Sequence, residues 1–578
     1  MTPRKSRLFA LVAMLLLLHG AIAQSSQDLR VRDKILFNAK IFTANRNYPF
    51  AEAIAISGKS IVAIGNLDEV KKKMPAGTPL YDMGGQFVMP GFVDSHNHAL
   101  QGGESLLKAY VDDSLVSAAD LEAFARASKE NGKGMRGRFL VINGLNITTW
   151  SHIPELQATF NGNDYAKQPV LLRGSDGHTG WGNRAMLAEA GITKSFIQSL
   201  SADQRKFFGF DSSFEPNGFI ADDGFDKFSE LIPPAALDPM AIGKSAFQYN
   251  NALGITAWLD PSAGNTGDKV NKTLALYARM SAAGLLSAHI AATVVADANG
   301  NAQAQIQQVK ALQHQFNVIP NLSVLGFKIF ADGVIEYPTQ TAALSKPYTN
   351  NGSYGVLMVN PSKFNGFVVA ADKQGLLVHV HAIGDEAVTV ALNGFEKART
   401  INGDSKIPHT ITHLQVLKPA DFVRFKALGV LASVQLLWAL GDPTTIDIVK
   451  PYIAPELYRY QYPARSMLQA GATLCGASDW PVSTANPFIA MFEAETRLGK
   501  MGVLDSTQTV PRTEMLYAYT INAAKALRME KKIGSLEPGK IADLIIVDRD
   551  VMNVNPMAFR NSRILITIFE GQPVYVAP

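Results

Sequence analysis

Cysteine is nearly absent from this chain of 578 residues, which contains only Cys475. A single cysteine excludes an intramolecular disulfide, so stability must come from the size of the core, to which bound metal can add. The chain also lacks a large excess of charge of either sign, because it contains 54 Lys and Arg residues and 50 Asp and Glu residues. Without a basic run, nothing favours binding to nucleic acid or to an anionic membrane surface.

Long apolar runs are confined to the start of the chain. The basic stretch "RKSR" at 4–7 precedes an apolar stretch over 8–23, and "AIA" at 21–23 offers a cleavage site before Gln24. This pattern predicts a signal peptide over residues 1–23 and hence a periplasmic or secreted protein. The alternative is an uncleaved anchor, but the stretch is short for a bilayer span of ~20 residues.

Cleavage would leave a nearly neutral chain, because taking three basic residues from the 54 leaves 51 against 50 acidic ones. No cysteine follows the cleavage site, which excludes lipid attachment there. No later stretch approaches the length of a membrane helix. The mature chain is therefore expected to lack a membrane span.

Both ends of the chain have the composition of β-structure. Residues 33–90 contain short apolar segments separated by "SGKS", "GN" and "MGG", and residues 531–578 contain "KIADLIIVD" and "ILITIFEGQPVYV". Turn residues between short apolar segments favour a sheet domain. We expect residues 24–90 and 531–578 to build one small β-sandwich together.

The middle of the chain, residues 91–530, alternates apolar strands with helical stretches that end near glycine. Eight such strands alternating with helices predict an α/β fold, the (β/α)8 or TIM barrel. The eight strand candidates are "QFVMPGFVDSH", "GITAWLD", "LSAHIAATVV", "LGFKIFADG", "LLVHVHAIG", "HTITHLQ", "GVLASVQ" and "ATLCGASDW". Roughly 150 residues separate the first candidate from the second, far beyond ordinary loop lengths. We expect a large insertion after strand 1, a subdomain over about residues 100–250.

Histidine is scarce, with 11 in the whole chain, yet five fall at the C-terminal ends of strand candidates. In a (β/α)8 barrel the active site is built at that face. Residues i and i+2 of a strand point the same way, so His96 and His98 share one face. Two further strand ends add Lys328 and Asp479. The five histidines are His96, His98, His379, His381 and His413.

These side chains can form a metal centre, because imidazole and carboxylate groups suit Zn and neighbouring divalent ions. His96 and His98 can bind one ion, and His381 with His413 a second. Asp479 can bind the first ion and accept the proton of a water molecule activated by the metal. The sequence therefore points to metal-assisted chemistry at the barrel mouth.

Lys328 needs a separate explanation, because an ammonium group beside two cations is unfavourable. As a neutral amine it could react with CO2 and become a bridging carbamate. Each part also has a simpler interpretation: an isolated H-x-H pair is usually a surface or core pair, and a buried lysine is usually ion-paired. Their joint occurrence at strands one, four, five, six and eight favours the metal centre.

The motifs together resemble the amidohydrolase superfamily. They are "PGFVDSHNH", the lysine of "GFKIFADG", "HVHAIGD", "ITHLQVL", "GASDWPV" and "GSLEPGKIADLIIVD". More narrowly, the chain resembles the branch that includes N-substituted formamide deformylases, over roughly residues 33–575. The resemblance implies a metal-bearing (β/α)8 barrel with a β-sandwich made from both chain ends, in agreement with the strand pattern.

Carried over position by position, the resemblance implies two Zn ions, a carboxylated lysine that bridges them and an aspartate that is both ligand and general acid/base. The implied groups are His96 and His98 for the first ion, His381 and His413 for the second, Lys328 as the bridge and Asp479. The family places its ligand at the histidine of "HAIGD", which is His381. His379 then faces the substrate or supports the ligands, or it is a core histidine. Thr412 stands where the branch usually has Glu.

The inserted segment contains "DGHTGWGNRAML", which resembles the family's pocket-lining segment. His178 could hydrogen-bond a substrate carbonyl or a developing oxyanion, and Trp181 could wall the pocket. The alternative is a loop that packs on its own aromatic residues. In the loop after the seventh strand, Trp438 and several tyrosines favour an apolar or aromatic substrate, although such residues equally often pack locally.

The function these observations favour is that of an exported metal-dependent hydrolase. A metal-activated water would cleave a non-peptide C–N bond of a small amide-type substrate, with Asp479 as general acid/base. Two alternatives stay open: an esterase or lactonase that uses the same centre, and a binding protein that kept the fold and lost the chemistry. A homo-oligomer is compatible with the sequence.

Overall fold

The computed structural model describes residues 29–111, 117–234 and 236–578. The predicted signal peptide, residues 1–23, lies outside these described residues. Among the helices of the described part, none combines the length and the hydropathy needed to cross a membrane.

An eight-stranded parallel sheet forms the centre of the fold, and its strands follow one another around the sheet in chain order. The strands are β1 (Phe92–Asp94), β2 (Ile255–Asp260), β3 (His289–Val295), β4 (Leu322–Phe330), β5 (Leu377–Ala382), β6 (Thr410–His413), β7 (Leu431–Val434) and β8 (Thr473–Gly476). Two backbone hydrogen bonds cross the seam between β8 and β1, from Ser95 N–H to Gly476 O and from Asp479 N–H to His96 O, both 2.9 Å. The predicted barrel is confirmed and is nearly closed.

The barrel strands are apolar along their whole length because both of their faces are covered. All six residues of β2 and all six of β5 are buried. Several of the surrounding helices begin at an asparagine whose side chain accepts a hydrogen bond from the first turn. The helices that follow the barrel strands or precede β2 are Pro239–Ala252, Lys272–Ala282, Ala302–Phe316, Pro361–Lys373, Asp385–Asn402, Pro419–Leu428, Ala464–Gln469 and Pro487–Thr496.

The segment between β1 and β2 contains a second sheet of six strands. In sheet order they are Phe208–Phe210, Pro216–Ala221, Thr179–Gly182, Val170–Gly174, Phe139–Leu145 and Met135–Arg136. Successive residues of strand Phe139–Leu145 point to opposite faces of the sheet. Leu140 and Ile142 belong to one hydrophobic cluster, and Phe139 and Val141 belong to another. Both faces of this inserted sheet are therefore covered. Its helices are Ala99–Ser105, Ala118–Glu130, Ile153–Phe160, Arg184–Glu189, Lys194–Ser199, Ala202–Arg205 and Asp226–Ser229.

Residues from both ends of the chain form two further sheets that share one hydrophobic cluster. The four-stranded sheet has the order Ser60–Gly65, Ala53–Ser57, Asp33–Phe37 and Leu80–Asp82. The six-stranded sheet has the order Gln572–Val576, Ile564–Phe569, Leu544–Val547, Phe87–Pro90, Lys40–Phe42 and Phe50–Ala51. Early and late residues meet where Phe87–Pro90 pairs antiparallel with Leu544–Val547.

The first predicted strand, "QFVMPGFVDSH", divides into two strands. Phe87–Pro90 belongs to the terminal sheet, and β1 starts at Phe92 in the barrel. Gly91 lies at the division, where a Cβ atom would meet Thr256 Oγ1 at 2.2 Å. Only glycine fits so close to the Thr256 side chain. At this glycine the chain passes from the terminal sheet to the barrel without a loop.

Shorter elements complete the described fold. Two short strands, Leu498–Gly499 and Gly502–Val503, form a hairpin after β8. The remaining α-helices are Leu67–Lys71, Pro443–Ile446, Pro455–Tyr458, Arg512–Tyr517, Ala523–Ala526 and Pro556–Arg560.

A buried ion pair joins the barrel to the terminal sheets. His289 at the start of β3 places Nε2 at 2.8 Å from Asp543 Oδ2, and its Nδ1 lies 2.9 Å from Asn321 Oδ1. Burial lowers the pKa of His289, but the charge of Asp543 and its hydrogen bond outweigh burial, so that the pKa is raised. The pair lies at the start of a strand and therefore at the end of the barrel opposite the predicted site.

Candidate metal centre

The two histidines of the H-x-H motif meet the aspartate that follows β8. His96 and His98 come directly after β1, and each places Nε2 at 3.1 Å from Oδ1 of Asp479. One ligand atom from each of the three residues lies within 4.8 Å of the others. His96 and His98 follow β1 and Asp479 follows β8, and these two strands meet at the barrel seam. Closure of the barrel therefore brings the three ligand atoms together.

The second predicted pair of histidines adjoins the same cluster. His413 at the end of β6 lies 5.1 Å from His96 and 4.4 Å from His381, measured between ring centroids. His413 Nδ1 is 3.9 Å from Asp479 Oδ2. Three of the predicted histidine ligands therefore surround the Asp479 carboxylate, and His381 adjoins them through His413, at the C-terminal mouth of the barrel where barrel active sites are built.

A second contact fixes the orientation of both rings of the H-x-H motif. His96 Nδ1 lies 2.7 Å from Nε2 of His379, whose own Nδ1 contacts Thr410 Oγ1. His98 Nδ1 lies 2.9 Å from Ser262 Oγ. Ligating histidines commonly bind an outer partner through the second ring nitrogen in this way. Nε2 is therefore left facing the cluster in both His96 and His98.

His379 and His381 share the interior face of β5 but differ in their neighbours. His379 is fully buried behind His96, while the Nε2 of His381 lies 3.1 Å from Gly333 O and 3.7 Å from Asp332 Oδ1. Because Nε2 of His381 is engaged by that carbonyl, Nδ1 is its free nitrogen. The structure thus places His379 next to a ligand candidate and His381 next to His413.

Burial keeps the imidazoles of this cluster neutral. Loss of solvation, reinforced by the charge of Lys328, holds the pKa of His96 and of His379 well below the usual range and lowers that of His381 to about 3. Burial likewise holds the pKa of His413 well below the usual range. Neutral imidazole is the form that binds a metal ion.

Lys328 projects from β4 into the same interior. It is 1% exposed, and burial lowers the pKa of its amine to about 7, against the opposing charge of Asp479. Within residues 29–111, 117–234 and 236–578 its Nζ has neither a hydrogen-bond nor an ion-pair partner, and it lies 4.9 Å from the centroid of the Phe330 ring. A large share of Lys328 is therefore neutral near pH 7.

Two buried atoms in the cluster lack a hydrogen-bond partner in the part of the chain that the structure describes, and they show that the residues suit a metal ion. They are Asp479 Oδ1 and His413 Nδ1. Although two histidine nitrogens lie 3.1 Å from Asp479 Oδ1, neither makes a hydrogen bond to it. Orphaned polar atoms are costly in a core. Nitrogen and carboxylate donors that converge without bonding one another are a donor set that fits a divalent cation.

Two of these residues have strained backbones. His413 has φ of 77° and Asp479 has φ of 56°, both in the left-handed region that non-glycine residues rarely adopt. Such conformations cost about 1–3 kcal/mol each and cluster at functional sites. For Asp479, the seam hydrogen bond from its N–H to His96 O holds the backbone in place.

Asp94, which sequence reasoning did not select, connects the two loops of the cluster. This buried carboxylate accepts hydrogen bonds from His96 N–H at 3.1 Å, from Ser478 N–H at 3.1 Å and from Ser478 Oγ at 2.5 Å. Burial raises the pKa of Asp94 to about 6, against these hydrogen bonds. In the sequence, Asp94 could have been recognised as an aspartate at the end of a barrel strand, two positions before the H-x-H motif.

Two of the predicted site residues, His178 and Trp181, lie in the inserted segment. His178 lies in the turn before strand Thr179–Gly182, with Nδ1 at 2.8 Å from Asp222 Oδ1. Charges of the metal cluster act on it: Asp479 helps to raise its pKa. Trp181 is fully buried in the core of the inserted sheet, where its Nε1 donates to Asn217 O. The expectation that Trp181 walls the pocket is not met, because its side chain points into that core.

An aromatic ring lies beside the cluster. Trp438, in the loop after β7, stacks on His413 with ring centroids 5.8 Å apart and planes 14° apart. Its Nε1 donates to Ser483 Oγ at 3.3 Å. A parallel barrel whose mouth holds buried neutral imidazoles, an ionised carboxylate and an aromatic wall defines the class of barrel hydrolases that use metal ions.

Comparisons with known proteins agree with this class. The model of the amidohydrolase family matches residues 80–575. Protein LONG AFTER FAR-RED 3 of Arabidopsis thaliana is 27% identical over 529 residues, which cover 89% of this chain and 87% of that protein. N-substituted formamide deformylase of Arthrobacter pascens is 25% identical over 94% of this chain and 98% of its own length. The solved structure of an uncharacterized metal-dependent hydrolase from Pyrococcus horikoshii has a TM-score of 0.67 at 25% identity, covering 91% of this chain and 99% of that one.

The chain therefore belongs to the amidohydrolase family. The predicted resemblance is confirmed, and with it the reaction class: this is a hydrolase that acts on carbon–nitrogen bonds other than peptide bonds.

Proposed function

We propose that this protein hydrolyses the amide bond of a small, non-peptide substrate at a centre of two divalent metal ions, with zinc as the resident metal. His96, His98 and Asp479 would hold the first ion, and His381 with His413 the second. The convergence of His96 Nε2 and His98 Nε2 on Asp479 Oδ1, which has no hydrogen-bond partner among the described residues, carries the proposal. The deformylase among its relatives supports a formamide or a similar amide as the substrate.

Bound at these residues, the ions would polarise the scissile carbonyl and lower the pKa of a water molecule towards neutrality. Asp479 accepts the proton of the attacking water and returns it to the leaving nitrogen. Burial would raise the pKa of Asp479, but its contact with His98 outweighs burial and lowers it. The carboxylate is therefore ionised at neutral pH and able to accept a proton.

Lys328 is proposed to carry a carbamate that bridges the two ions. The support is its position on β4 beside the histidines and an amine that burial leaves largely neutral near pH 7. A neutral amine reacts with CO2 and releases one proton, and the product is an anion. The Lys328 side chain would then be an anionic ligand of the metal ions and no longer a cationic neighbour.

The substrate would bind between the metal cluster and the inserted segment. His178 would donate a hydrogen bond from Nε2 to the carbonyl oxygen, which becomes an oxyanion during attack. Trp438, stacked on His413, would contact an apolar or aromatic part of the substrate. An ester could be attacked in the same way, so the ratio of amide to ester turnover measures how far the enzyme prefers amides over esters.

We also propose that residues 1–23 direct export and are removed before Gln24. The basic, apolar and small-residue order of that segment supports this. Mass spectrometry of the protein recovered from cells that express the full chain tests it. A mature N-terminus at Gln24 is expected, and an intact chain retained in the cytoplasm would contradict export.

The main experiment combines metal analysis with a panel of amides and esters. Purified protein is expected to contain about two zinc ions per chain and to hydrolyse at least one N-substituted formamide or simple amide. Chelation and His96→Ala should abolish both properties, whereas His314→Ala, a matched change on the exposed face of helix Ala302–Phe316, should preserve them. Hydrolysis that persists after chelation and in His96→Ala would contradict the proposal.

A further inference from the structure

Asp222 lies beside His178 because of the strand register in the inserted sheet. Thr179 pairs with Ala221 across antiparallel strands, so the next pair of positions is His178 and Asp222. The N–H of Asp222 donates to His178 O at 2.8 Å and continues the ladder by one bond. The carboxylate then turns back to the imidazole, with Oδ1 at 2.8 Å from Nδ1.

The backbone of Asp222, whose carboxylate contacts the His178 imidazole, has a strained conformation. Its φ is 42°, in the left-handed region, and the residue begins the 3-10 turn Asp222–Phe225. Such strain costs about 1–3 kcal/mol and persists where the surroundings determine it. Asp and Asn adopt this conformation more readily than other non-glycine residues. Asparagine can therefore replace Asp222 without disturbing the backbone.

The turn that carries His178 is held from the other side by Asp176. Asp176 Oδ1 accepts hydrogen bonds from the N–H groups of His178 and Thr179, both at 3.1 Å, and from Thr179 Oγ1 at 3.0 Å. The carboxylate of Asp176 is thus occupied by its own turn. Asp222 is the carboxylate that meets the imidazole of His178.

The imidazole is oriented but not enclosed. The side chains of His178 and Asp222 are 28% and 14% exposed, unlike the fully buried pair His409 and Asp372 elsewhere in the fold. Because Nδ1 faces Asp222, Nε2 is the nitrogen that can meet a substrate. The carboxylates whose charges act on His178 include Asp222, Asp176 and Asp479. The ring is therefore within electrostatic reach of the metal cluster.

We infer that Asp222 is a positioning residue: it keeps the proton of His178 on Nδ1 in the resting tautomer and aims Nε2 at the carbonyl oxygen of the substrate. This inference rests on the proposed function. Burial lowers the pKa of His178, but the hydrogen bond to Asp222 and the nearby carboxylates outweigh burial and raise it, which favours protonation of both nitrogens. The doubly protonated ring then donates to the oxygen through Nε2–H.

The kinetic test uses Asp222→Asn, His178→Gln, the double variant and the control Asp223→Asn, a neighbouring exposed carboxylate. His178→Gln should lower kcat by about 10²-fold, the usual loss for one oxyanion donor. Asp222→Asn should cause a loss of roughly 10-fold or more with little change in KM, keep the metal content, and add nothing in the His178→Gln background. Losses that multiply in the double variant, or an Asp222→Asn enzyme with normal kcat, would overturn the inference.

A spectroscopic test separates this inference from the proposed function. In 15N NMR spectra of the metal-loaded protein with labelled histidine, the signals lost in His178→Gln identify that ring. They should titrate at a higher pH in the intact protein than in Asp222→Asn. Unchanged titration refutes the role of Asp222 even in an active enzyme, and a protein inactive on every amide refutes the proposed function whatever the spectra show. If Asp222→Asn fails to fold, Asp222→Gly removes the carboxylate and also accepts a positive φ.

Discussion

Asp94 and Ser478 are 384 positions apart in the sequence, yet their side chains form a hydrogen bond of 2.5 Å across the seam of the barrel. The same carboxylate accepts from His96 N–H. One buried group therefore holds the loop that carries the H-x-H motif against the loop that carries Asp479. The geometry of the candidate metal centre depends on this connection.

Replacing Asp94 should weaken the centre more than the fold. Asp94→Asn keeps the size of the side chain and the oxygen that accepts from His96 N–H and Ser478 N–H, but it removes the negative charge and the acceptor of the Ser478 hydroxyl, so the connection between the two loops is weakened. Groups that orient metal ligands typically contribute 10–100-fold in affinity or activity, and we expect a loss of that order in zinc affinity, measured by competition with a chelator. The control is Asp164→Asn, at a carboxylate whose side chain is 70% exposed. Unchanged zinc affinity in Asp94→Asn would contradict this role.

His379 should matter through His96. His96 Nδ1 lies 2.7 Å from His379 Nε2. If Nε2 of His96 binds metal, its Nδ1 carries the proton and donates it to His379, which is the acceptor behind the ring. His379→Phe removes the acceptor and should lower the affinity for the first ion by about 10–100-fold. His379→Gln retains a carbonyl acceptor and should recover part of the loss. Equal affinity in both variants would show that His379 only fills space.

Lys328 offers a test by isotope labelling. Protein incubated with 13C-bicarbonate should give a carbamate signal in its 13C NMR spectrum, and Lys328→Met should lack it. The variant should also bind less zinc, because the bridging anion is lost, and added acetate or propionate should restore part of the activity. A normal zinc content and full activity in Lys328→Met would contradict the bridging role.

The His289–Asp543 pair predicts a pH dependence of stability. The folded protein holds the pKa of His289 above the ordinary 6.5, so the protonated ring stabilises the fold. That stabilisation is fully present below the unfolded pKa and is lost as the pH rises through the raised folded pKa. The free energy of unfolding in urea should therefore fall between pH 6 and pH 9, by more in the intact chain than in His289→Gln.

The variant itself tests the size of the contribution. Removing one partner of a buried pair costs about 3–5 kcal/mol, so His289→Gln should be destabilised by that order at pH 6. Zinc binding should be unaffected, because the pair lies at the opposite end of the barrel. An identical pH dependence in the variant and the intact chain would show that His289 does not carry a charge in the folded protein.

The barrel could be predicted from the sequence because its strands are short apolar runs covered on both faces. The exception was the first strand, which the structure divides at Gly91. An uninterrupted apolar run does not reveal that its two halves enter different sheets. The close approach of Gly91 to Thr256, a residue distant in sequence, is visible only in the structure.

The candidate site could be predicted in part. Residues two positions apart in a strand point to the same face, so His96 with His98 and His379 with His381 could be paired from spacing. Spacing does not give depth along the barrel axis, and so the neighbours of His379 could not be foreseen. Asp222 was missed because its partner His178 lies 44 positions away and meets it only through the register of the inserted sheet.

The most direct test of the account is anomalous diffraction from crystals grown with zinc and measured on both sides of the zinc absorption edge. Two peaks are predicted at the barrel mouth, one bounded by His96, His98 and Asp479 and the other by His381 and His413. Zinc-loaded crystals of the active enzyme without a peak among His96, His98 and Asp479 would contradict the central claim.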